Sequence, residues 1–250
     1  MFELLFPFFL IVLFFLGLAI IWRNNARKYI SSGTVASAYD AWTQDKLLER
    51  LWGEHIHLGF YPSGIGEIDF RKAKVQFVHE LVKWSGLDKL PKGSRILDVG
   101  CGIGGSSRIL AKYYGFNVTG VTISPAQVKR ARELTPSGLN CNFQVMDALD
   151  LKFEDGSFDA VWSVEAGAHM NDKNKFADEM LRILRPGGYL AIADWNSRDL
   201  RAYPPTFFEK LVLKQLLEQW VHPNFISINE FSNILKVNRP MNSIKSGNTN

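Results

Sequence analysis

Glu165 and His169 lie four residues apart in the stretch SVEAGAHM, directly after the apolar run FDAVW. An apolar run followed by small and polar residues is typical of a buried strand that ends at this point. A carboxylate and an imidazole at the end of such a strand either cap the following helix or take part in proton transfer. The two residues alone leave both functions open.

A glycine-rich turn, LDVGCGIGGSS, follows the first apolar run of the central region. Glycine permits a tight connection between a strand and a helix, which a cofactor can approach closely. Gly100, Gly102 and Gly105 satisfy the dinucleotide-binding pattern G-x-G-x-x-G. The same turn, with Asp98 ahead of it, also satisfies D-x-G-x-G-x-G, the pattern of class I methyltransferases that use S-adenosylmethionine. The glycines alone do not distinguish these cofactors.

The residues around this turn favour S-adenosylmethionine over a nicotinamide dinucleotide. A nicotinamide site usually has an acid for the ribose about 20 residues after the glycines. Here the second apolar run ends in VTIS, without a carboxylate. Asp98 is instead placed to contact the amino group of a methionine moiety, where a pyrophosphate would be repelled. Asp147, in the loop after the third apolar run, can accept a hydrogen bond from the adenine amino group.

Apolar runs and helical stretches alternate from residue 95 to residue 195. This alternation predicts a mostly parallel, Rossmann-like α/β sheet with helices on both faces. Ser124 and Pro125 are typical of a helix start, and the run 185–188, Arg-Pro-Gly-Gly, predicts the end of a later helix. We predict a methyltransferase core over 91–222, a helical cap or lid over 31–90 and a disordered tail over 236–250.

The N-terminal segment is strongly apolar. Residues 4–22 carry no charge and have about the length that crosses a bilayer as a helix. The following stretch RNNARK is basic, and an excess of positive charge marks the cytoplasmic side of a span. The segment also lacks the features of a cleavable signal peptide. We therefore predict a transmembrane anchor over 4–22, with the catalytic domain on the cytoplasmic or stromal side.

Charge and composition exclude several classes of function. The formal net charge is only +4, which argues against nucleic acid as a partner. The two cysteines, Cys101 and Cys141, lack the spacing of a metal site or of a disulfide framework. His55 and His57 alternate in WGEHIHLG, but two imidazoles without a nearby cysteine or carboxylate cluster make a poor metal site. We therefore predict no bound metal.

Longer stretches, from about residue 31 to residue 231, resemble one enzyme family. They are VASAYDAWT, WGEHIHLGFY, LDVGCGIGGSSRILAKYYGFNVTGVTISPAQVKRA, VWSVEAGAHMNDK, LRPGGYLAIADWN and LEQWVHP. These stretches are similar to the cyanobacterial type of C-methyltransferase from tocopherol and plastoquinone biosynthesis. The resemblance implies methylation of a 2-methyl-6-phytyl- or solanesyl-benzoquinol by S-adenosylmethionine, in a cyanobacterial or plastid membrane. Gamma-tocopherol methyltransferases are the nearest alternative.

The resemblance also implies roles for individual residues. His169 is expected to be the main acid and base, because a phenol ring becomes a stronger carbon nucleophile when its hydroxyl loses a proton. Glu165 is expected to orient His169 or to contact the substrate. The expected lid residues are Tyr39, His55 and His57. The expected cofactor-binding residues are Asp98, Gly100, Gly102, Gly104, Thr122, Ser124, Gln127, Asp147, Ala148 and Ser163.

The end of the sequence departs from the family pattern. Class I methyltransferase sheets finish with a sixth and a seventh strand, but no strand pattern follows the helical stretch FFEKLVLKQLLEQWVHP. We therefore predict a C-terminally truncated chain that lacks the last one or two strands. A remnant that binds cofactor or lipid without turnover stays open as an alternative, as does a methyltransferase that acts on another lipid.

Overall fold

The computed structural model describes residues 11–17, 28–62, 69–238 and 243–247. Within these residues, five parallel strands form one sheet in the order β3-β2-β1-β4-β5. The strands are β1 (Arg95–Val99), β2 (Asn117–Thr122), β3 (Cys141–Val145), β4 (Phe158–Val164) and β5 (Leu184–Ala193). The predicted parallel sheet is confirmed. Its strand order reverses between β1 and β4, and the carboxyl ends of strands beside such a reversal are where ligands bind.

The described part of the chain from residue 28 onward contains eight α-helices. They are α1 (Ser32–Gln44), α2 (Leu47–Trp52), α3 (Phe70–Ser85), α4 (Gly105–Tyr114), α5 (Pro125–Leu134), α6 (Lys173–Ile183), α7 (Phe207–Trp220) and α8 (Ile228–Asn238). Short 3-10 turns cover Leu87–Lys89 and Gly167–His169. Helices therefore alternate with the strands except between β3 and β4, which are joined by a loop, as the sequence pattern predicts.

Helices cover both faces of the sheet. One face packs on α3 and α4 through a buried cluster that includes Phe77, Leu110 and Trp162. The opposite face packs on α6 through a second buried cluster that includes Val161 and Phe176. Because successive side chains of a strand point to opposite faces, the neighbours Val161 and Trp162 are both fully buried. The central strands are thus shielded from water on both sides.

Helix ends follow the capping residues seen in the sequence. The Ser124 side chain accepts a hydrogen bond from the Gln127 backbone N–H at 3.1 Å, and Pro125 lies in the first turn of α5. This arrangement confirms the predicted helix start. The helix predicted to end at the run 185–188 is α6, which ends at Ile183. The run 185–188 lies inside β5, where the pairing of β5 with β4 shifts in register.

The structure corrects the prediction of a transmembrane helix over residues 4–22. Residues 11–17 are helical, and a helix that spans a bilayer needs about 20 residues. Among the residues that the structure describes, no helix combines the length and the apolar character needed to cross a bilayer. Residues 4–10 and 18–22 lie outside the described residues. The predicted localisation, which depends on a single-pass anchor, is corrected with it.

In the predicted cap over 31–90, one helix packs on other helices and another packs on the core of the sheet. Helix α1 contacts α2 and α5, above the sheet edge, whereas α3 contributes Phe77 and Val78 to the core cluster. Of the predicted tail over 236–250, residues 236–238 complete α8, and residues 243–247 form neither helix nor strand. Residues 239–242 and 248–250 lie outside the described residues.

Phe176→Ala should lower the free energy of unfolding by about 3–5 kcal/mol, because it removes a ring from the core and leaves a cavity. Phe176 is 0% exposed and packs in the cluster beneath β4. Urea denaturation measures the change. Phe207→Ala is the matched control, since Phe207 is 78% exposed and its loss should cost less than about 0.5 kcal/mol. Equal losses in both variants would contradict this packing.

Candidate active site

A pocket of about 1070 Å³, measured with its open mouth, lies along the carboxyl ends of β1, β2 and β4. Its outer wall comes from α1 and from residues 54–57. Together with Leu58, residues 54–57 form the segment that we call the strap. Most residues predicted from the sequence line the pocket: Tyr39, His55, His57, Asp98, Gly100, Gly102, Thr122, Gln127, Asp147, Ala148, Glu165 and His169. The fold thus gathers both the expected cofactor residues and the expected acid–base residues into one space.

The turn after β1 is shaped by glycines with left-handed backbone. Gly100, Gly102 and Gly104 have φ values of 77°, 55° and 82°. Residues with side chains rarely adopt this conformation. In addition, a Cβ on Gly100 would lie 2.2 Å from the Cβ of Ala166. The glycine turn therefore packs directly on the segment that follows β4.

Asp98 is a buried acid in the pocket wall. It is 2% exposed, and the Ser107 hydroxyl donates a hydrogen bond to its Oδ2 at 2.5 Å. Burial raises the pKa of this carboxyl to about 7, and the Ser107 hydrogen bond opposes part of the rise. A carboxyl with this pKa ionises readily when a cationic group approaches, which suits the amino group of a methionine moiety.

Residues after β2 and β3 form another part of the pocket wall. The Thr122 hydroxyl donates to Gln127 Oε1 at 2.6 Å, which fixes the side-chain amide of Gln127. Asp147 Oδ1 accepts the Leu149 backbone N–H at 2.9 Å and so closes the loop after β3. The second carboxylate oxygen of Asp147 adds an acceptor to the wall beside Ala148.

Three residues predicted to bind cofactor lie behind the pocket wall. Ser163 is buried, and its hydroxyl donates to the Val99 carbonyl oxygen at 3.0 Å, which ties β4 to β1. Ser124 is fully buried at the start of α5. Gly104 lies against the Phe143 ring, which would be 2.7 Å from a Cβ at that position. These residues support the wall rather than form it.

Asp40, on α1, supports the wall of the pocket, and the sequence patterns miss it. Its Oδ1 accepts hydrogen bonds from the Ser124 hydroxyl at 2.5 Å and from the Ala126 backbone N–H at 3.0 Å. The carboxylate therefore lies at the N-terminus of α5, where the helix dipole favours negative charge. Its partners are 84 and 86 positions away, so no local pattern could have identified the contact.

Glu165 ends β4 in a left-handed backbone conformation, with φ of 52°. Such a conformation costs a residue with a side chain about 1–3 kcal/mol and is frequent at functional sites. Glu165 Oε1 accepts the Leu58 backbone N–H at 2.9 Å. Burial raises the pKa of Glu165, while the bonds from Leu58 and Trp195 lower it. The structure thus connects Glu165 to the strap.

His169 meets Tyr39 across the pocket. The Tyr39 hydroxyl lies 2.8 Å from His169 Nε2, and His169 Nδ1 lies 3.4 Å from the Val221 carbonyl oxygen. Because a carbonyl can only accept, we assign the proton to Nδ1, so that Nε2 accepts from the Tyr39 hydroxyl. His222 stacks on His169 with ring centroids 4.2 Å apart. Burial lowers the pKa of His169 to about 4, so the imidazole is neutral near pH 7.

His55 and His57 form a hydrogen-bonded pair in the strap. His57 Nδ1 lies 2.7 Å from the Leu58 carbonyl oxygen, and His57 Nε2 lies 3.1 Å from His55 Nδ1. Burial lowers the pKa of His55 to about 3 and that of His57 to about 4. Two neutral imidazoles thus stiffen the strap by bonding to each other. Over the ranges described, no group of three or more His, Cys, Asp or Glu side chains is arranged to hold a metal ion.

An ion pair joins the strap to the glycine turn. Arg108 Nη2 donates to Glu54 Oε2 at 2.6 Å, and Nη1 donates to the Ile103 carbonyl oxygen at 2.7 Å. Gly105 lies directly beneath the strap, because a Cβ there would be 2.4 Å from the Glu54 carbonyl oxygen. The strap is therefore held over the start of α4, beside the expected cofactor.

The pocket fits S-adenosylmethionine. At Gly102 a Cβ would meet no atom within 4 Å, so the backbone of the turn faces open space that a ligand can fill. Asp98 offers an acid to an amino group, and Asp147 offers an acceptor to an adenine amino group. A pyrophosphate in this turn would face the buried carboxyl of Asp98, which disfavours a dinucleotide.

We predict that the affinity for S-adenosylmethionine rises by up to about tenfold between about pH 5.5 and pH 7.5. The reason is that Asp98, with a pKa of about 7, must lose its proton to pair with the amino group. Asp98→Asn should remove this pH dependence and weaken binding by about tenfold at the upper pH. Isothermal titration calorimetry measures both effects. Affinity that is independent of pH in the wild type would contradict the role of Asp98.

Asp40→Asn should weaken cofactor binding by about fivefold, because the start of α5 loses a charged cap worth about 1 kcal/mol. The start of α5 also positions Gln127 in the pocket wall. Calorimetry at fixed pH measures the affinity, with Asp178→Asn on the exposed side of α6 as the matched control. The same affinity in both variants would show that the Asp40 cap has no effect on cofactor binding.

The fold matches known methyltransferases. A family model described as a methyltransferase domain matches residues 97–192. The solved structure of geranyl diphosphate methyltransferase in complex with geranyl diphosphate and sinefungin is 26% identical, with a TM-score of 0.67. That match covers 83% of this chain and 80% of the other. The chain is a class I methyltransferase, and its cofactor is S-adenosyl-L-methionine.

Two curated relatives show which family of methyltransferases the chain belongs to. The 2-methyl-6-phytyl-1,4-hydroquinone methyltransferase of Synechocystis is 60% identical over 212 residues, which are 85% of this chain and 67% of that protein. The chloroplastic tocopherol O-methyltransferase of Arabidopsis thaliana is 38% identical over 202 residues, 76% of this chain and 58% of that protein. The match thus spans only part of each relative. At this identity and coverage, the chain belongs to the 2-methyl-6-phytyl-1,4-hydroquinone methyltransferase family.

Proposed function

We propose that this chain methylates a ring carbon of a prenylated benzoquinol, either 2-methyl-6-phytyl-1,4-benzoquinol or its solanesyl counterpart. The observation that carries the proposal is the Tyr39–His169 pair, which lies in the same pocket as the glycine turn. The 60% identity to the Synechocystis protein supports the choice of acceptor. A prenyl tail favours the bilayer by about 0.8 kcal/mol per methylene, so the proposed acceptor is a membrane lipid.

Tyr39 and His169 form a path for the proton that the quinol gives up. The cofactor, when bound, supplies an electrophilic methyl group. A quinol hydroxyl that donates to the Tyr39 oxygen can pass its proton through the Tyr39 hydroxyl to His169 Nε2, which lies 2.8 Å away. The ring then gains phenolate character, and its carbons become stronger nucleophiles.

The electrostatics of the pair suit this transfer. Burial, with a smaller contribution from Lys173, lowers the pKa of His169 to about 4, so Nε2 is unprotonated and can accept a proton from the Tyr39 hydroxyl. A phenolate that forms nearby raises this pKa, because opposite charges stabilise each other. Burial, together with Glu165 and Asp194, holds the pKa of Tyr39 well above its usual value. Tyr39 therefore acts as a hydroxyl that relays a proton, not as a resident phenolate.

Glu165 supports the reaction through the strap. Its bond to Leu58 holds the strap across the pocket, and a closed pocket excludes water from the reacting groups. Tyr39 and Val221 already orient the His169 ring. Of the two roles expected for Glu165, contact with the substrate beneath the strap is therefore the better supported.

A second candidate is methylation of a tocopherol, which the 38% identity to the Arabidopsis tocopherol O-methyltransferase favours. The two acceptors are separated by a direct assay with labelled S-adenosylmethionine in detergent micelles. Transfer to the benzoquinol supports the first candidate, and transfer to gamma-tocopherol supports the second. A chain that binds cofactor but methylates neither acceptor would contradict both candidates, and would favour a non-catalytic remnant or a methyltransferase that acts on another lipid.

His169→Ala should lower kcat by about a hundredfold or more and leave the affinity for S-adenosylmethionine within about twofold. Tyr39→Phe should lower kcat by about tenfold, because it removes the relaying hydroxyl and keeps the ring. Initial rates of methyl transfer measure both. The control is His79→Ala, since His79 is bonded to the Tyr114 hydroxyl at 2.8 Å and lies outside the pocket. Near wild-type turnover in His169→Ala would remove this residue from the mechanism.

A further inference from the structure

The 3-10 turn Gly167–His169 places His169 in the pocket. This turn is in close contact with Asp194, the acid that follows the neighbouring strand β5. A Cβ on Gly167 would lie 2.3 Å from Asp194 Oδ2 and 2.8 Å from the Phe176 ring. The position therefore excludes any side chain. The turn rests directly on the carboxyl group of Asp194, which follows β5.

Lys173 holds the carbonyl groups of this turn. Its Nζ donates to the Gly167 carbonyl oxygen at 2.6 Å and to the Ala168 carbonyl oxygen at 3.4 Å. Lys173 is the first residue of α6, where the positive end of the helix dipole disfavours a cation. The Lys173 ammonium therefore lies where the helix dipole is unfavourable, which indicates that its hydrogen bonds to the turn hold it in place.

Asp194 holds the N–H side of the turn. Its carboxyl accepts a hydrogen bond from the Trp195 backbone N–H at 2.9 Å, and the nearby Ala168 backbone N–H lowers the pKa of the carboxyl. The carboxyl also attracts the ammonium of Lys173. Lys173 and Asp194 thus lie on opposite sides of the same turn, and their opposite charges attract each other across it.

We propose that Lys173 and Asp194 are positioning residues for the reaction, which fix the turn so that His169 Nε2 stays within hydrogen-bond range of the Tyr39 hydroxyl. The inference rests on the proposed function of the Tyr39–His169 pair. Neither residue lines the pocket, so both act through His169. Because misplacement of a reacting group by about 1 Å can cost about a hundredfold in rate, the pair should affect kcat more than binding.

Lys173→Met in the full chain removes the ammonium and keeps most of the side-chain length. We expect kcat for 2-methyl-6-phytyl-1,4-benzoquinol to fall by about tenfold to a hundredfold, with KM and the Kd for S-adenosylmethionine within about twofold. Asp194→Asn should act in the same way. The double variant should fall little further, because both residues act on one turn. Lys175→Met, on the exposed side of the same helix, is the matched control and should keep the wild-type rate.

A second readout does not depend on turnover. The ring Cε1–H signal of His169 in an NMR spectrum, assigned with His169→Gln, should move in Lys173→Met and stay in place in Lys175→Met. Methylammonium should restore part of kcat to Lys173→Ala by supplying the missing cation. If Lys173→Met does not fold, Lys173→Arg replaces it, with the same expected separation of kcat from KM.

The outcomes separate this inference from the proposed function. If the wild-type chain methylates no quinol, the proposed function fails, and the His169 signal alone decides whether the two residues position the ring. Unchanged kcat together with an unchanged His169 signal in Lys173→Met overturns the inference. Parallel losses in kcat, KM, Kd and melting temperature also overturn it, because they indicate a general loss of structure.

Discussion

The contact between Gly100 and Ala166 is the constraint on which the rest of the site depends. Strands β1 and β4 are neighbours where the strand order reverses, so their turns leave the sheet side by side. Only glycine lets these turns meet, because a Cβ on Gly100 would lie 2.2 Å from that of Ala166. One turn is then open to the cofactor, and the other carries His169 into the same pocket. The groups that must react are thereby held close together, which is a large part of catalysis.

Burial determines how the polar residues of the pocket behave. Removal from water lowers the pKa of His55, His57 and His169, and raises that of Asp98. Each imidazole is therefore neutral, with one nitrogen that donates and one that accepts. A bond to a backbone carbonyl then decides which nitrogen accepts, as Val221 does for His169. The direction of proton transfer is thus set by the backbone around the site.

Local sequence patterns predicted most of the fold. Alternating apolar runs and helical stretches predicted the parallel strands, and Ser124 with Pro125 predicted the start of α5, because residue type and short-range spacing govern these features. The same reasoning failed for residues 4–22, where apolar length alone suggested a transmembrane helix. The described residues contain no helix long and apolar enough to span a membrane. Hydropathy measures the tendency of a segment to leave water, and this tendency alone does not distinguish a membrane span from other ways of burying apolar residues.

By itself, the sequence determined the chemistry available at each strand end: glycines for a close turn, an acid at 98, and a carboxylate and imidazole after β4. Only the tertiary structure decided the partners. His169 pairs with Tyr39, 130 positions away, and Glu165 pairs with Leu58, 107 positions away. Asp40 caps α5 through Ser124, which is 84 positions away. Such contacts depend on how remote segments pack against one sheet edge, and the spacing of residues along the chain does not record that packing.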